Sequence, residues 1–282
     1  MKAKRIFDPK TSVLIVFSLA ILVTFALPGL SGGIASADDC PWTLGCPDDC
    51  EFTTDFRLQD CRWFQSIGIN PYFKLIPGYK LVLESDEERA EITVLRDTKW
   101  IRLGDRWIRT RVVEERAYER EIEDGEVEEK LVEISRNWFA ICNKTNAVYY
   151  FGEDSRDCED GFDENDVCPD GADTTGSWQA GVNGAQPGLM MPGTFLLGAK
   201  YFQEIAEEDG AVDRGENTAM GVDVTTAAGT FVDCVEVVET NPAEGMCDKE
   251  EEGEAKLYCP GIGLVQDGDL KLVCYGFHCE DE

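Results

Sequence analysis

Twelve cysteines, all beyond residue 39, constrain the fold of this chain more than any other feature. An even number of cysteines predicts disulfide bonds if the chain folds in an oxidising compartment. Zinc is the alternative, but the chain has one histidine, His278, and no pair of CxxC motifs, which disfavours a zinc site. Their spacing leaves the pairing open, although Cys158 with Cys168 and Cys247 with Cys259 are close enough in the chain for local bridges. The cysteines that we expect to be disulfide-bonded are Cys40, Cys46, Cys50, Cys61, Cys142, Cys158, Cys168, Cys234, Cys247, Cys259, Cys274 and Cys279.

Residues 1–37 have the layout of a cleavable signal peptide. Basic residues at positions 2, 4 and 5 precede an uncharged run over residues 11–27, and Ala35-Ser36-Ala37 supplies the small residues of a cleavage site. A permanent membrane anchor is the alternative, because the uncharged run reaches the lower limit of ~17 residues for spanning a bilayer. Pro28 and Gly29 break the run, which favours cleavage. We therefore predict an exported protein that is periplasmic, displayed on the cell surface or secreted.

The charge balance excludes several classes of partner. The chain has 26 Lys and Arg against 56 Asp and Glu, a formal net charge of −30. Such a chain repels nucleic acid and anionic lipid headgroups, so we expect no nucleic-acid partner and no membrane insertion after signal cleavage. Divalent cations or a basic protein surface are the partners that it attracts, and solubility of an exported protein is the alternative explanation of the charge.

The rest of the chain predicts a mostly β protein. Runs of β-branched and aromatic residues over 79–84, 91–96 and 107–113, separated by turn signals, are typical of short strands. We expect an antiparallel curved sheet, a half-barrel or a sandwich. Residues 38–69 form a cysteine-rich head with too few apolar residues for a core of its own, and residues 70–282 form the β-rich domain.

One long hairpin stands out in this domain. Residues 112–123 and 126–142 flank Asp124-Gly125, a dipeptide that suits a type I′ turn. Many of the residues in both arms are Glu, Lys or Arg, which also favour helices, but the central turn and the β-rich neighbours favour strands. We expect these charges to form a solvated face with cross-strand pairs.

An acidic loop is predicted over residues 153–173, where ten carboxylates fall within 21 residues. Oxygen ligands at this density suit Ca²⁺, and a Cys158–Cys168 bridge would confine them. Residues 163–170 (DENDVCPD) resemble the Asp/Asn-Cys-Pro-Asp units of thrombospondin type 3 calcium repeats, whereas no complete EF-hand pattern is present. An exposed, solvated loop is the alternative. The candidate ligands of a weak Ca²⁺ site are Asp157, Glu159, Asp160, Asp163, Glu164, Asp166, Asp170 and Asp173.

A glycine-rich stretch over residues 176–198 is the second candidate site. Trp178, Met190, Met191 and Phe195 combine large apolar side chains with glycines that permit close approach. These four residues are candidates for lining a ligand cavity in the curved sheet. Closure of the sheet by ordinary core packing is the alternative.

Several motifs between residues 70 and 273 resemble an uncharacterised family of exported bacterial proteins. The resemblance rests on NPYF at 70–73 with PGY at 77–79, YYFGED at 149–154, GSWQAGVNGAQPG at 176–188 and PGIGLV at 260–265. It implies a curved antiparallel sheet and transfers no functional residue. The cysteine-rich head, added cysteines and acidic loop depart from the family pattern.

No motif identifies a reaction. The chain lacks G-x-S-x-G, H-E-x-x-H and a phosphate-binding glycine loop, and His278 lies close to the C-terminus. We therefore expect a non-enzymatic binding or surface-interaction protein that calcium stabilises. A carrier of an apolar ligand in the curved sheet is the second hypothesis, and a carboxylate-based hydrolase is the third.

The calcium hypothesis predicts binding by residues 153–173 with a Kd of order 10⁻⁴ to 10⁻³ M, as in extracellular modules. Crowded carboxylates repel one another, and a divalent ion relieves that repulsion. Calorimetric titration should show heat for the wild type and none for a variant carrying Asp160→Asn, Asp163→Asn and Asp166→Asn. Equal binding by the variant would contradict the hypothesis.

Overall fold

The computed structural model describes residues 46, 49–123, 126–247 and 253–279. In this part of the chain the regular structure consists of strands and four short 3₁₀ turns, at Asp49–Glu51, Leu58–Asp60, Glu207–Asp209 and Pro242–Glu244. The strands are β1 (Phe64–Gln65), β2 (Gly68–Asn70), β3 (Phe73–Leu75), β4 (Lys80–Glu84), β5 (Glu88–Leu103), β6 (Arg106–Glu123), β7 (Glu126–Cys142), β8 (Val148–Asp157), β9 (Trp178–Gln179), β10 (Gln186–Met191), β11 (Lys200–Phe202), β12 (Glu204–Ile205), β13 (Arg214–Thr226), β14 (Gly229–Thr240), β15 (Glu254–Cys259), β16 (Gly263–Asp267) and β17 (Leu270–Gly276).

Fifteen of these strands form one antiparallel sheet. Its order is β11-β13-β14-β15-β16-β17-β4-β5-β6-β7-β8-β10-β12, while β1 pairs with β7 and β9 pairs with β8. Strands β2 and β3 form a separate two-stranded sheet. The two end strands, β11 and β12, are separated in the chain only by Gln203, so the sheet curves until its two ends lie near each other, and these end strands do not pair to close it. The predicted mostly β fold with a curved antiparallel sheet is confirmed.

The predicted hairpin is the pair β6 and β7, which run antiparallel from Arg111 opposite Phe139 to Glu123 opposite Glu126. The predicted turn at residues 124–125 lies outside the described residues. Some of the charged side chains of this hairpin form the expected cross-strand ion pairs, which are Glu119–Lys130 (2.6 Å), Arg120–Glu129 (3.1 Å) and Glu114–Arg136 (2.9 Å).

The expected solvated face is wrong for two residues of this hairpin, Glu115 and Glu133. Because side chains alternate along a strand, Glu115 shares the inner face with its apolar neighbours Val113 and Ala117. Glu133 lies opposite Ala117 and is 6% exposed. The concave face of the sheet therefore carries carboxylates among apolar side chains.

Five disulfides lie among the described residues, and two of them join distant parts of the chain. Cys46–Cys247 and Cys61–Cys142 attach the cysteine-rich head to the sheet, and Cys274–Cys279 lies near the end of the described residues. The local pair Cys158–Cys168 is confirmed. Cys40 and the side chain of Cys50 lie outside the described part of the structure.

The expected pair Cys247–Cys259 is wrong, because Cys259 is bonded to Cys234. Val235 lies opposite Tyr258 in the β14–β15 ladder, so the next antiparallel position places Cys234 opposite Cys259 with a Cα–Cα distance of 4.1 Å. Register therefore decides this pairing, whereas Cys247 follows β14 and contacts the head.

Side-chain hydrogen bonds also tie the head to the sheet. The guanidinium of Arg106 donates to the carbonyl oxygens of Leu58 and Cys61, at 3.2 and 2.8 Å. The buried Arg214 on β13 forms an ion pair with Asp49 at 2.9 Å. Multiple disulfides fit an oxidising compartment. Among the described residues no helix has the length and apolar character needed to cross a membrane.

We predict that two disulfides with very different loop lengths contribute unequally to stability. Cys46–Cys247 spans 201 residues and Cys158–Cys168 spans 10. In the chain-entropy account, replacing the first pair by serines should lower the free energy of unfolding by about 5 kcal/mol and replacing the second by about 3 kcal/mol. Urea unfolding of the two double variants measures this, and an equal or reversed order would contradict the prediction.

Candidate functional site

A cavity of about 110 Å³ lies on the concave side of the sheet. Its wall is mostly apolar and includes several aromatic rings, with a few charged and polar groups. The apolar and aromatic lining residues are Phe73, Tyr79, Leu81, Ile92, Val94, Val113, Phe139, Met190, Tyr258, Ile262 and Leu264. The charged and polar lining residues are Lys74, Glu115, Asn137, Lys256 and Asp267.

Strand register explains why these residues meet. Ile92 on β5 lies opposite Leu81 on β4 and opposite Glu115 on β6, and Val113 lies opposite both Val94 and Asn137. On the other part of the wall, Lys256 lies opposite Asp267 across β15 and β16. Residues directly opposite in antiparallel strands share a face of the sheet. The curvature of the sheet then brings β15 and β16 into the same cavity as β5, β6 and β7.

One ammonium group and several carboxylates form the charged end of the cavity. Lys256 Nζ lies 2.9 Å from Glu239 and 3.2 Å from Asp267. Burial alone would lower the pKa of Lys256, but Asp267, Glu239 and Glu254 together outweigh burial and hold that pKa well above its ordinary value. Burial raises the pKa of Asp267 to about 7. Lys256 is therefore a cation already neutralised by two carboxylates.

Glu115 lies at the same end of the cavity without a comparable partner. It forms no hydrogen bond or ion pair with any residue in the described ranges, and its side chain is only partly exposed. Burial raises the pKa of Glu115, and the charge of Lys256 partly opposes that shift. Glu115 is thus a carboxylate held at the edge of an apolar cavity by the backbone of β6.

A second group of inner carboxylates lies beside the cavity, around Tyr150. Burial raises the pKa of Glu153 to about 8, although a hydrogen bond between Tyr150 and Glu153 Oε2 (3.0 Å) lowers it. The Tyr150 hydroxyl also contacts Asn137 Oδ1, and the Asn137 amide donates to Ser135 Oγ at 3.0 Å. One phenolic proton cannot be donated to both acceptors at once. A protonated Glu153 that donates to the Tyr150 oxygen satisfies the network.

Burial also raises the pKa of other carboxylates in this interior. The pKa of Glu133 lies well above its ordinary value, with Glu115 adding to the effect, and burial raises the pKa of Asp213 to about 8. Both carboxylate oxygens of Glu204 lack a hydrogen bond of normal geometry from the described residues. The nearby Trp178 indole lowers the Glu204 pKa slightly, but burial outweighs it. Burial thus favours the protonated form of these carboxyl groups, and Glu153 and Asp213, with pKa values of about 8, are largely protonated at pH 7.

The candidate calcium ligands are placed differently from the predicted single loop. Strand β8 continues through Asp157, so only residues 158–173 form the loop. Asp166 binds Arg116 through both oxygens (2.5 and 3.1 Å), and Asp163 Oδ1 accepts backbone N–H groups of Asn165 and Val167. The remaining ligands Glu159, Asp160, Glu164, Asp170 and Asp173 are exposed.

No three His, Cys, Asp or Glu side chains lie close enough together to hold a metal ion, as far as the described residues go. The pKa of Asp166 is lowered by its hydrogen bond to Arg116, and that of Asp173 by its hydrogen bonds to Thr175. Burial, with a contribution from Asp173, raises the pKa of Asp157 to about 6. Calcium binding by this loop stays a prediction.

The four predicted ligand-binding residues fall into two groups. Met190 on β10 lines the cavity, whereas Trp178, Met191 and Phe195 are buried in the surrounding hydrophobic core. Glu115, Lys256 and Asp267 also belong to the site and were not predicted from the sequence. Glu115 is two residues away from both Val113 and Ala117, so in a strand all three side chains point to the same face. This spacing could have indicated that Glu115 points into the interior. Lys256 and Glu115 lie close together only because the sheet curves, and no local sequence signal predicts that curvature.

Fold and site together define a β protein with a mostly apolar internal cavity that has a charged end. No protein-family model matches the chain, and no curated protein or solved structure shows significant similarity to it. The resemblance of its motifs to exported bacterial proteins therefore stays a prediction.

We predict that the inner carboxylates make the protein less stable as pH rises. The folded pKa of Glu153, about 8, lies above the ordinary glutamate value, so the folded state binds more protons than the unfolded state between these two values. The contribution of Glu153 to stability should therefore be greatest below about pH 4.5, and it should be lost as the pH rises through 8.

Between pH 6 and pH 9 the free energy of unfolding of wild type should fall, and that of the Glu153→Gln variant should fall by at least about 1.4 kcal/mol less. One pKa unit corresponds to that energy. Denaturant unfolding at both pH values measures the difference. Glu121→Gln, at an exposed position on β6, is the control and should behave as wild type. A Glu153→Gln variant with the wild-type pH dependence would show that Glu153 is not the group responsible.

Proposed function

We propose that this protein is an exported, non-enzymatic binding protein that holds a small, mostly apolar ligand inside its curved sheet. The observation that carries the proposal is the cavity, because its wall combines many apolar side chains with a few charged groups at one end. Binding sites for small molecules have this composition, in which apolar walls supply affinity and a few polar groups fix orientation.

The size of the cavity limits the ligand. Cavities of roughly 150 Å³ lined by apolar side chains bind a molecule as large as benzene. A cavity of about 110 Å³ therefore suits one ring or a short aliphatic chain, and rearrangement of flexible side chains such as Met190 would admit slightly more. Long-chain lipids are too large for it.

The cavity is better supported as a binding site than the acidic loop. In the loop, Asp163 and Asp166 already serve as acceptors for backbone N–H groups and for Arg116. In the cavity, Glu115 has no such partner among the described residues. A calcium-stabilised surface protein and a carboxylate-based hydrolase remain alternatives without a comparable observation in their favour.

We predict that the protein purified without detergent carries a small-molecule adduct that native mass spectrometry detects and denaturation releases. Val94→Phe places a larger side chain in the cavity and should reduce the occupied fraction at least about tenfold, by steric exclusion. Val232→Phe is the matched control, because Val232 is 56% exposed on β14.

The control should retain wild-type occupancy, and a thermal melt should show that both variants are folded. Absence of any adduct in the wild type, or equal occupancy in the Val94→Phe and Val232→Phe variants, would overturn the cavity as the binding site.

A further inference from the structure

Carboxylates outnumber ammonium groups in and around the charged end of the cavity, although Glu239 and Glu254 do not line it. Lys256 is paired with Glu239 and Asp267, so two carboxylates face one ammonium group. Glu115 adds a third carboxylate, which feels the charge of Lys256 but forms no hydrogen bond or ion pair with the described residues, and Glu254 lies near enough to affect the pKa of both Glu115 and Lys256. When these groups are ionised, the end of the cavity has a net negative charge. A cation placed there gains energy, whereas an anion is repelled.

Part of the wall of the same cavity is aromatic. Phe73, Tyr79, Phe139 and Tyr258 all line the cavity, and the Phe73 and Phe139 rings lie 5.1 Å apart in an edge arrangement. Aromatic faces attract cations, and sites that bind organic ammonium groups combine such rings with carboxylates. The apolar wall and the negative end thus select the same kind of ligand, one that has a positive group attached to an apolar body.

Lys74 is the one lining group that argues for an anionic ligand. Its ammonium group donates to the Tyr79 hydroxyl at 3.4 Å and lies 4.4 Å from the centre of the Tyr79 ring. Lys74 is also the least buried of the charged lining residues. A long lysine side chain at such a position keeps its charge towards water. An anion bound by Lys74 would also share the cavity with Glu115 and Asp267, whose negative charges oppose it.

We propose that the ligand is an organic cation, a small ammonium compound with an apolar body whose charged nitrogen lies beside Glu115. This inference rests on the proposed function of the cavity and specifies the chemical class of its ligand. The role of Glu115 is to face the ammonium group, while Phe73, Phe139 and Tyr258 enclose the body. Glu239 and Asp267 keep Lys256 neutralised, so that it does not repel the ligand.

Three probes of similar size separate charge from shape. Benzylamine is protonated at pH 7, benzyl alcohol is neutral and benzoate is negative, and all three carry one aromatic ring. Calorimetric titration of the full protein should show that benzylamine binds at least about tenfold more tightly than benzyl alcohol, with benzoate weaker still.

Variants then assign the preference to a residue. Glu115→Gln keeps the shape of the side chain and removes its charge, so the preference for benzylamine over benzyl alcohol should fall below about threefold while benzyl alcohol binds as before. Glu121→Gln on the same strand is the matched control and should keep the wild-type preference. Val94→Phe should weaken all three probes. Thermal melts at pH 7 check that each variant is folded.

The outcomes distinguish the two claims. If benzyl alcohol or benzoate binds as tightly as benzylamine, and Val94→Phe still blocks binding, the cavity is a binding site but the cation inference is wrong. If the preference for benzylamine survives in Glu115→Gln, the assignment to Glu115 is wrong. If none of the probes binds wild type at millimolar concentration, both the inference and the proposed function are overturned.

Discussion

A single large sheet has to bury one of its faces, and in the described part of this chain no α-helix is available to cover it. The fifteen-stranded sheet meets this constraint by curving, so that its own strands cover each other across the interior. Leu83 on β4, Phe151 on β8 and Tyr201 on β11 come from different parts of this sheet and all have fully buried side chains. Disulfides from Cys46 and Cys61 then fix the head to the sheet. Fold, core and cavity all follow from that curvature.

The same constraint determines where charge is tolerated. On the outer face, pairs such as Glu114–Arg136 are partly exposed, and each contributes little to stability. On the inner face, Lys256 is held by two carboxylates, and loss of one partner from a buried pair typically costs about 3–5 kcal/mol. Inner carboxylates without a cation, such as Glu153, are instead driven toward their protonated form by burial. Charge pairing and protonation are thus two solutions to one desolvation problem.

The sequence predicted what depends on neighbouring residues along the chain. Strand β4 follows from its β-branched and aromatic residues, β7 from the Asp124-Gly125 dipeptide and its β-rich neighbours, and the Cys158–Cys168 bridge from the short separation of the two cysteines. It did not predict Cys234–Cys259, because that pairing depends on the register of two strands. Lys256 and Glu115 lie more than a hundred residues apart, and they share a cavity only because the whole sheet curves. Contacts of this kind are set by the global shape, which no short motif encodes.

Placing the Glu115 carboxylate in the interior lowers the stability of the fold, and this cost bears on the function of the residue. A carboxylate moved away from water without a hydrogen bond or a counter-ion lowers stability, whereas an apolar side chain of similar size would fill the same space at no such cost. Its neighbours on the inner face of β6, Val113 and Ala117, are apolar, so the local pattern calls for an apolar residue at position 115. Departures from a consistent pattern concentrate at functional sites, because binding compensates for the lost stability. The position of Glu115 beside an aromatic-walled cavity identifies what would compensate, namely a cation that the cavity encloses.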